Sequence, residues 1–287
     1  MQTIHESKYL RAAVKEEKKR GRSVAFVPTM GNLHAGHLQL VKRAHELADC
    51  VIVSIFVNPM QFGANEDLDT YPRTPQEDQL ALEALNTHYL FTPSVATMYP
   101  AGIQDHTRVS ISELGSQLCG KTRPVFFEGI CTVVSKLFNL VQPDIAVFGE
   151  KDYQQLTIIR RMVADLCMPI EIIGVPTTRE ENGLAMSSRN NYLSPGQKDT
   201  AAEIYKKLCE VRNAITDGNT NYQQLCADAK GSLTEKGFEP DYFELRNGNN
   251  LEHVSDGETA AKLVLLVAAN LGSTRLIDNI AFQTKTD

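Results

Sequence analysis

The 287-residue sequence has no Cys-x-x-Cys pair, no basic stripe and no apolar run near the ~20 residues that span a bilayer. Each absence removes a class of protein. The six cysteines (Cys50, Cys119, Cys131, Cys167, Cys209, Cys226) are scattered, and most fall inside apolar-periodic segments. They read as reduced core thiols, which leads us to expect a cytoplasmic protein. Without a spanning run, a membrane role drops out. A formal net charge of -6 argues against a protein whose main partner is nucleic acid. Residues Met1 to Lys8 lack an apolar core ahead of the first charges, so no secretory signal is expected and the mature chain is expected to begin near Met1. The densest charge run, Lys15 to Arg22, mixes Glu16 and Glu17 with basic residues at spacings that suit a solvated helix end. Internal repeats, low-complexity tracts, the Gly-rich dinucleotide fingerprint and the Walker pattern are all missing, as are Ser-His-Asp and Cys-His arrangements. A P-loop NTPase and a covalent nucleophile are therefore not expected.

What is present alternates between strand and helix. Ser23 to Pro28 is a short apolar run ending in a Pro-Thr-Met-Gly turn, and behind it Leu40, Val41, Ala44, Leu47 and Ala48 share one helical face. Val51 to Val57 is apolar and β-branched. Strand, helix and strand in this order form a βαβ unit with a right-handed crossover and a parallel sheet. The alternation continues through a helix near 76–85, a strand at 89–92, a helix at 129–141, a strand at 145–148, a helix at 152–166 and a strand at 170–175. In the helix at 152–166, Leu156, Ile159, Val163 and Leu166 are expected to be buried. After Pro176 comes a polar stretch to Ser194, then helical periodicity over 196–217 and 222–236, then short strands at 242–245, 263–269 and 274–277. The expected architecture is α/β, a doubly wound parallel sheet over residues 1–176 followed by a smaller α+β domain over 177–287.

Four segments carry chemistry. The first is Pro28-Thr29-Met30-Gly31-Asn32-Leu33-His34-Ala35-Gly36-His37, between the first long strand and its helix. A helix N-terminus presents free N–H groups and a partial positive charge, so it suits an anion. Gly31 and Gly36 allow close backbone approach to a phosphate. Two imidazoles at i and i+3 are suited to donating to its oxygens. The same pair also suits capping, packing or a metal, although no third ligand stands at a recognisable spacing. The second segment is Phe148-Gly149-Glu150-Lys151-Asp152, again at a strand-to-helix handover, where Lys151 offers a point charge and Asp152 an N-terminal cap. The third is Ala185-Met186-Ser187-Ser188-Arg189-Asn190, whose hydroxyls and guanidinium suit a polyphosphate and equally suit a plain surface loop. The fourth is Asn58-Pro59-Met60-Gln61, with amides suited to a small polar ligand or to an ordinary turn.

His-Ala-Gly-His and Met-Ser-Ser-Arg resemble the His-Ile-Gly-His and Lys-Met-Ser-Lys-Ser elements of the class I aminoacyl-tRNA synthetase and nucleotidyltransferase superfamily. Within it, Ser-Ile-Phe-Val-Asn-Pro-Met-Gln-Phe, Tyr-Pro-Arg-Thr, Asn-Leu-Val-Gln-Pro-Asp and Phe-Gly-Glu-Lys-Asp-Tyr-Gln-Gln-Leu resemble the pantothenate synthetase family along nearly the whole chain. The resemblance implies a Rossmann-like first domain, a homodimer, and ligation of (R)-pantoate to β-alanine with ATP and Mg²⁺ through pantoyl adenylate. It places ATP on Met30, Gly31, Asn32, Leu33, His34, Ala35, Gly36 and His37, on Gly149, Glu150, Lys151 and Asp152, on Met186, Ser187, Ser188 and Arg189, and near Thr178. It places pantoate on Gln61 and Gln155 and β-alanine near Gln61. His37, His34, Lys151 and Arg189 are the implied catalytic set, and no protein ligand to Mg²⁺ is implied. An apolar wall of Pro28, Met30, Val133 and Val134 would face the pantoate methyls. One departure stands out: Phe126 occupies a position where the family pattern has histidine.

Overall fold

Val24 to Val27 expose no surface, as in a strand covered on both faces. They belong to β2 (Val24–Thr29), one of six parallel strands with β1 (Gln2–Ile4), β3 (Cys50–Ile55), β4 (Tyr89–Phe91), β5 (Ile145–Gly149) and β6 (Glu171–Val175). The computed structural model describes residues 1–63, 66–258 and 260–283. It divides into two units, Met1–Glu150 with Ile158–Pro176, and Lys151–Thr157 with Thr177–Asp287. The last residues of the expected second domain, 284–287, lie outside the described residues. No described helix is long and apolar enough to cross a membrane.

In the first unit the strand order is β1-β4-β3-β2-β5-β6. Alternation along the strands sorts the helices onto the two faces. Ala25 and Val27 pack with Leu40, Val41 and Ala44 of α2 (Ala35–Leu47), whereas Phe26 meets the edge of Phe138 in α7 (Phe126–Val141). Successive residues of a strand point to opposite faces, so α2 and α7 cover opposite sides of the sheet. The remaining helices before β5 are α1 (Ser7–Lys19), α3 (Pro75–Ala84) and three single turns, α4 (Val95–Met98), α5 (Ser112–Gly115) and α6 (Cys119–Thr122). The order reverses between β2 and β5, which pair directly with Phe26 opposite Ala146. Carried along the strands, this register sets Thr29 level with Gly149. Ligands of such sheets bind in the crevice beyond the carboxyl ends at this reversal.

Several expectations shift in detail. In α8 (Tyr153–Asp165), Leu156, Ile159 and Val163 are buried, but Leu166 lies past the helix end and is 49% exposed. Four cysteines are buried, while Cys209 is half-buried and Cys167 exposed. The charge run is not wholly solvated. Glu17 is 3% exposed and accepts from Tyr89 Oη at 2.8 Å and Arg22 Nη1 at 2.7 Å, pinning α1 to the sheet.

The second unit contains an antiparallel sheet, β7 (Phe238–Asn247), β8 (Lys262–Leu271) and β9 (Thr274–Gln283), in that order. α9 (Pro195–Ala201), α10 (Glu203–Thr216) and α11 (Tyr222–Glu235) complete it. Leu263, Leu265, Val267 and Ala269 share one core with Ile204, Leu208, Val211, Ala229 and Leu233. The single expected helix over 196–217 is interrupted at Ala202, where ψ is -21° and the flanking hydrogen bonds are 3.2 and 3.3 Å long. The strands run longer than expected. In β7 the register slips between Pro240 and Tyr242, a bulge where proline cannot donate to the ladder.

Candidate active site

The loop leaving β2 is shaped by an acid far away in sequence. Gly31 has φ +85°, and a Cβ there would come within 3.0 Å of Asp78 Oδ2 and of Ile55. Asn32 follows in the left-handed region at φ 50°. This turn aims the Asn32 and Leu33 N–H groups at Asp78, which accepts them at 2.9 and 2.7 Å. Thr74 Oγ1 donates to the same carboxylate at 3.1 Å. Asp78 is 2% exposed, and nothing in the sequence linked it to the His pair.

His34 caps α2, its Nδ1 accepting from Gly36 N at 3.2 Å, and His37 Nδ1 accepts from His34 N at 3.3 Å. The rings lie 4.1 Å apart. A neutral imidazole that accepts at Nδ1 carries its proton at Nε2. Both rings are thereby set as Nε2–H donors, and capping and anion recognition become compatible roles of one pair. Ala35 and Gly36 form the first turn of α2 between them, where the positive end of the helix dipole also favours an anion.

Gln61 stands at the end of the turn Pro59–Gln61, beyond β3, and is 7% exposed. Its Oε1 accepts from Asn58 Nδ2 at 3.3 Å, and its Nε2 donates to Met30 Sδ at 2.9 Å. Asn58 is occupied within the protein, donating also to the Gly129 carbonyl at 3.1 Å. Gly129 has a definite purpose. A Cβ there would lie 2.4 Å from the Met60 carbonyl oxygen, so only glycine lets α7 meet this turn backbone to backbone. Val133 and Val134 on α7 are buried, whereas Pro28 and Met30 are partly exposed. At Phe126 the ring is a platform. Arg123 lies over it at 3.5 Å, and its Nε donates to Glu66 Oε1 at 2.6 Å.

Gly149 ends β5 and Glu150 opens the 3-10 turn that follows, and a Cβ at Gly149 would meet nothing within 4 Å. Lys151 and Asp152 belong to the second unit with Gln155, Thr178, Met186, Ser187, Ser188 and Arg189. There β9 ties two segments together. Asn279 Nδ2 donates to the Lys151 carbonyl at 2.8 Å, and the preceding residue, Asp278, accepts both Arg179 Nη1 and Nη2 at 2.7 and 3.0 Å. Burial pushes the Asp278 carboxyl up, and the Arg179 hydrogen bonds oppose that rise. Arg179 also stacks on Tyr205 at 3.5 Å and holds the Gly183 carbonyl at 3.1 Å. Met186 N donates to the Thr178 carbonyl at 2.9 Å, which closes the short hairpin leading into the serine pair. Ser187 Oγ accepts from Arg189 N at 3.2 Å. The Lys151 ammonium is 3.9 Å from Asp152 Oδ2. Gln155 is half-buried on α8.

The first unit thus gathers the Met30 to His37 loop, Gln61, Gly149 and Glu150 at one sheet edge. The second gathers Lys151 and the Thr178 to Arg189 segment around Asp278 and Asn279. Asp78, Gly129, Arg179, Asp278 and Asn279 were missed from sequence because their roles are set by partners distant in the chain. Among the described residues no group of three or more His, Cys, Asp and Glu side chains is placed to hold a metal ion.

This arrangement can be compared with known proteins. A family model described as pantoate-beta-alanine ligase matches residues 2–281. The chain belongs to that family. It is 52% identical to a pantothenate synthetase of Hahella chejuensis over 281 residues, 98% of this chain and 99% of that one. The crystal structure of pantothenate synthetase from Thermus thermophilus superposes with a TM-score of 0.91 at 43% identity, covering 98% of this chain and 99% of that one. A pantoate-beta-alanine ligase from Francisella tularensis, solved with β,γ-ATP and β-alanine, matches with a TM-score of 0.79 at 34% identity, covering 98% and 97%. The activity of this chain is the family's, the ligation of pantoate to β-alanine.

Proposed function

We propose that the ligation runs through pantoyl adenylate, with ATP on Met30 to His37, Gly149 to Asp152, Thr178 and Met186 to Arg189. A free carboxylate acylates an amine poorly because oxide would have to leave. Attack of the pantoate carboxylate on the α-phosphorus of ATP turns that oxygen into part of a phosphate ester, a good leaving group. The β-alanine amine then attacks the acyl carbon and AMP departs. Catalysis is positioning and charge stabilisation. The observation that carries this reading is the pair of locked imidazoles at the β2–β5 reversal, with Nε2–H of both His34 and His37 set to donate as pyrophosphate leaves. Lys151 and Arg189 supply fixed positive charge. Gln61 and Gln155 hold pantoate, and β-alanine approaches near Gln61. The β,γ-ATP and β-alanine bound by the Francisella tularensis relative support this choice of ligands. Mg²⁺ would be carried on the ATP phosphates, where it would neutralise charge. Cytoplasmic location agrees with cysteines that form no disulfide among the described residues, and a homodimer with the family resemblance.

The direct test is pyrophosphate release from ATP and pantoate with β-alanine omitted. A burst stoichiometric with enzyme supports the adenylate. Release that strictly requires β-alanine would refute an intermediate formed before the amine acts.

A further inference from the structure

Asn58 is bonded on every side of its amide. Its Oδ1 accepts from Tyr99 Oη at 2.7 Å and Met60 N at 3.3 Å, and its Nδ2 donates to the Gly129 carbonyl at 3.1 Å and Gln61 Oε1 at 3.3 Å. Turning the amide over would set NH₂ against the Met60 N–H and oxygen against the Gly129 carbonyl, two like-with-like contacts. The orientation is therefore fixed. Because Gln61 Oε1 faces the Asn58 donor, its Nε2 is the end turned outward from that bond, donating to Met30 Sδ at 2.9 Å, a weak acceptor that a ligand oxygen would outcompete.

Tyr99 is the outermost member of this chain of bonds. It is 2% exposed, with His106 at 5.0 Å edge-on and Phe56 at 6.3 Å. We propose that Tyr99 is a positioning residue which, through Asn58, fixes Gln61 as a donor toward an oxygen acceptor of the acid substrate. The consequence is chemical selectivity: Gln61 recognises a carboxylate or hydroxyl oxygen and rejects a donor in the same place. This rests on the reading that Gln61 contacts pantoate.

The test measures KM for pantoate and for ATP in wild type, Tyr99→Phe, Gln61→Ala and the double variant, with melting followed in parallel. Tyr99→Phe removes one hydroxyl and is expected to raise the pantoate KM about tenfold, the scale of one hydrogen bond. The ATP KM stays within about twofold. In the Gln61→Ala background, Tyr99→Phe adds less than about twofold, because the side chain it positions is gone. Full additivity of the two substitutions, or equal loss for both substrates, overturns the proposal. An unchanged pantoate KM in Gln61→Ala overturns the placement of pantoate itself. A raised KM there with none in Tyr99→Phe overturns only the positioning role. Gln61→Glu tests the donor assignment without touching Tyr99. It removes the N–H, so its pantoate KM rises at least as far as that of Gln61→Ala, and wild-type affinity would contradict the orientation.

Discussion

Replacing Gly129 by alanine tests how tightly α7 is built against the Pro59–Gln61 turn. The added Cβ would sit 2.4 Å from Met60 O, 2.6 Å from Met60 C and 2.7 Å from Gln61 Cα. All three are backbone atoms and none can rotate away. Carbon contacts settle at about 3.5 Å or more, so α7 and the turn must part by roughly an ångström. Overpacking of this kind costs about 1–3 kcal/mol. For domains of this size that lowers Tm by about 2–4 °C per kcal/mol. The same movement stretches the 3.1 Å bond from Asn58 to the Gly129 carbonyl and shifts Gln61. A displacement of about 1 Å in a catalytic site can cost a hundredfold in rate. Gly149→Ala is the control, since a Cβ there meets nothing within 4 Å. Thermal melts by circular dichroism and steady-state rates with varied pantoate are the assays. Gly129→Ala is expected to lower Tm and raise the pantoate KM while Gly149→Ala keeps its Tm. A Gly129→Ala protein with wild-type Tm and pantoate KM would refute the close approach.

His37→Ala and Lys151→Ala are each expected to slow single-turnover adenylate formation by about 10²-fold or more, the scale of losing one preorganised donor; near wild-type rates would remove that residue from the mechanism. Gln155→Ala is expected to weaken pantoate use by roughly 1 to 3 kcal/mol while ATP use holds, and equal loss for both substrates contradicts its placement. Burial depresses His45 and His88, and the charges of Arg22 and His45 depress His88 further. Groups that protonate more readily unfolded than folded stabilise the protein above their unfolded value of 6.5 and lose that contribution as pH falls toward their lower folded values. Urea midpoints should therefore fall as pH drops below that value, and His45→Gln and His88→Gln should each flatten the slope; unchanged slopes would count against the depression of these half-buried rings.

How far the sequence reaches depends on whether a signal is local. β2 and β3 were legible because a parallel strand buried on both faces reads as one apolar run. β1 was not, since a strand of three residues shows no period. The start of β7 hid behind Glu239-Pro240-Asp241, residues that disfavour strands and that the bulge accommodates. The His pair announced itself by spacing, but the locked Nδ1 atoms required backbone geometry. Asp78 lies 45 residues beyond Leu33, whose N–H it holds, and no spacing rule joins them. Arg179 and Asp278 are 99 apart, and each alone reads as an ordinary surface charge. Asn58 looked like a ligand amide, and its burial among protein partners shows that its hydrogen bonds are spent on Gln61, Met60, Gly129 and Tyr99.

Carboxylate oxygen in pantoate labelled with a heavy isotope reports the reaction path directly. If the carboxylate attacks the α-phosphorus, one labelled oxygen becomes bonded to phosphorus and leaves with AMP once the amine has taken the acyl group. Attack on the γ-phosphorus would instead give an acyl phosphate, ADP and labelled orthophosphate. In the proposed mechanism His34, His37, Lys151 and Arg189 stabilise a departing pyrophosphate, and so label is predicted in AMP. Mass spectrometry of the products after a limited number of turnovers is the measurement. Label in AMP and none in orthophosphate is the expected result; label in orthophosphate, or unlabelled AMP alongside newly made pantothenate, would contradict the mechanism.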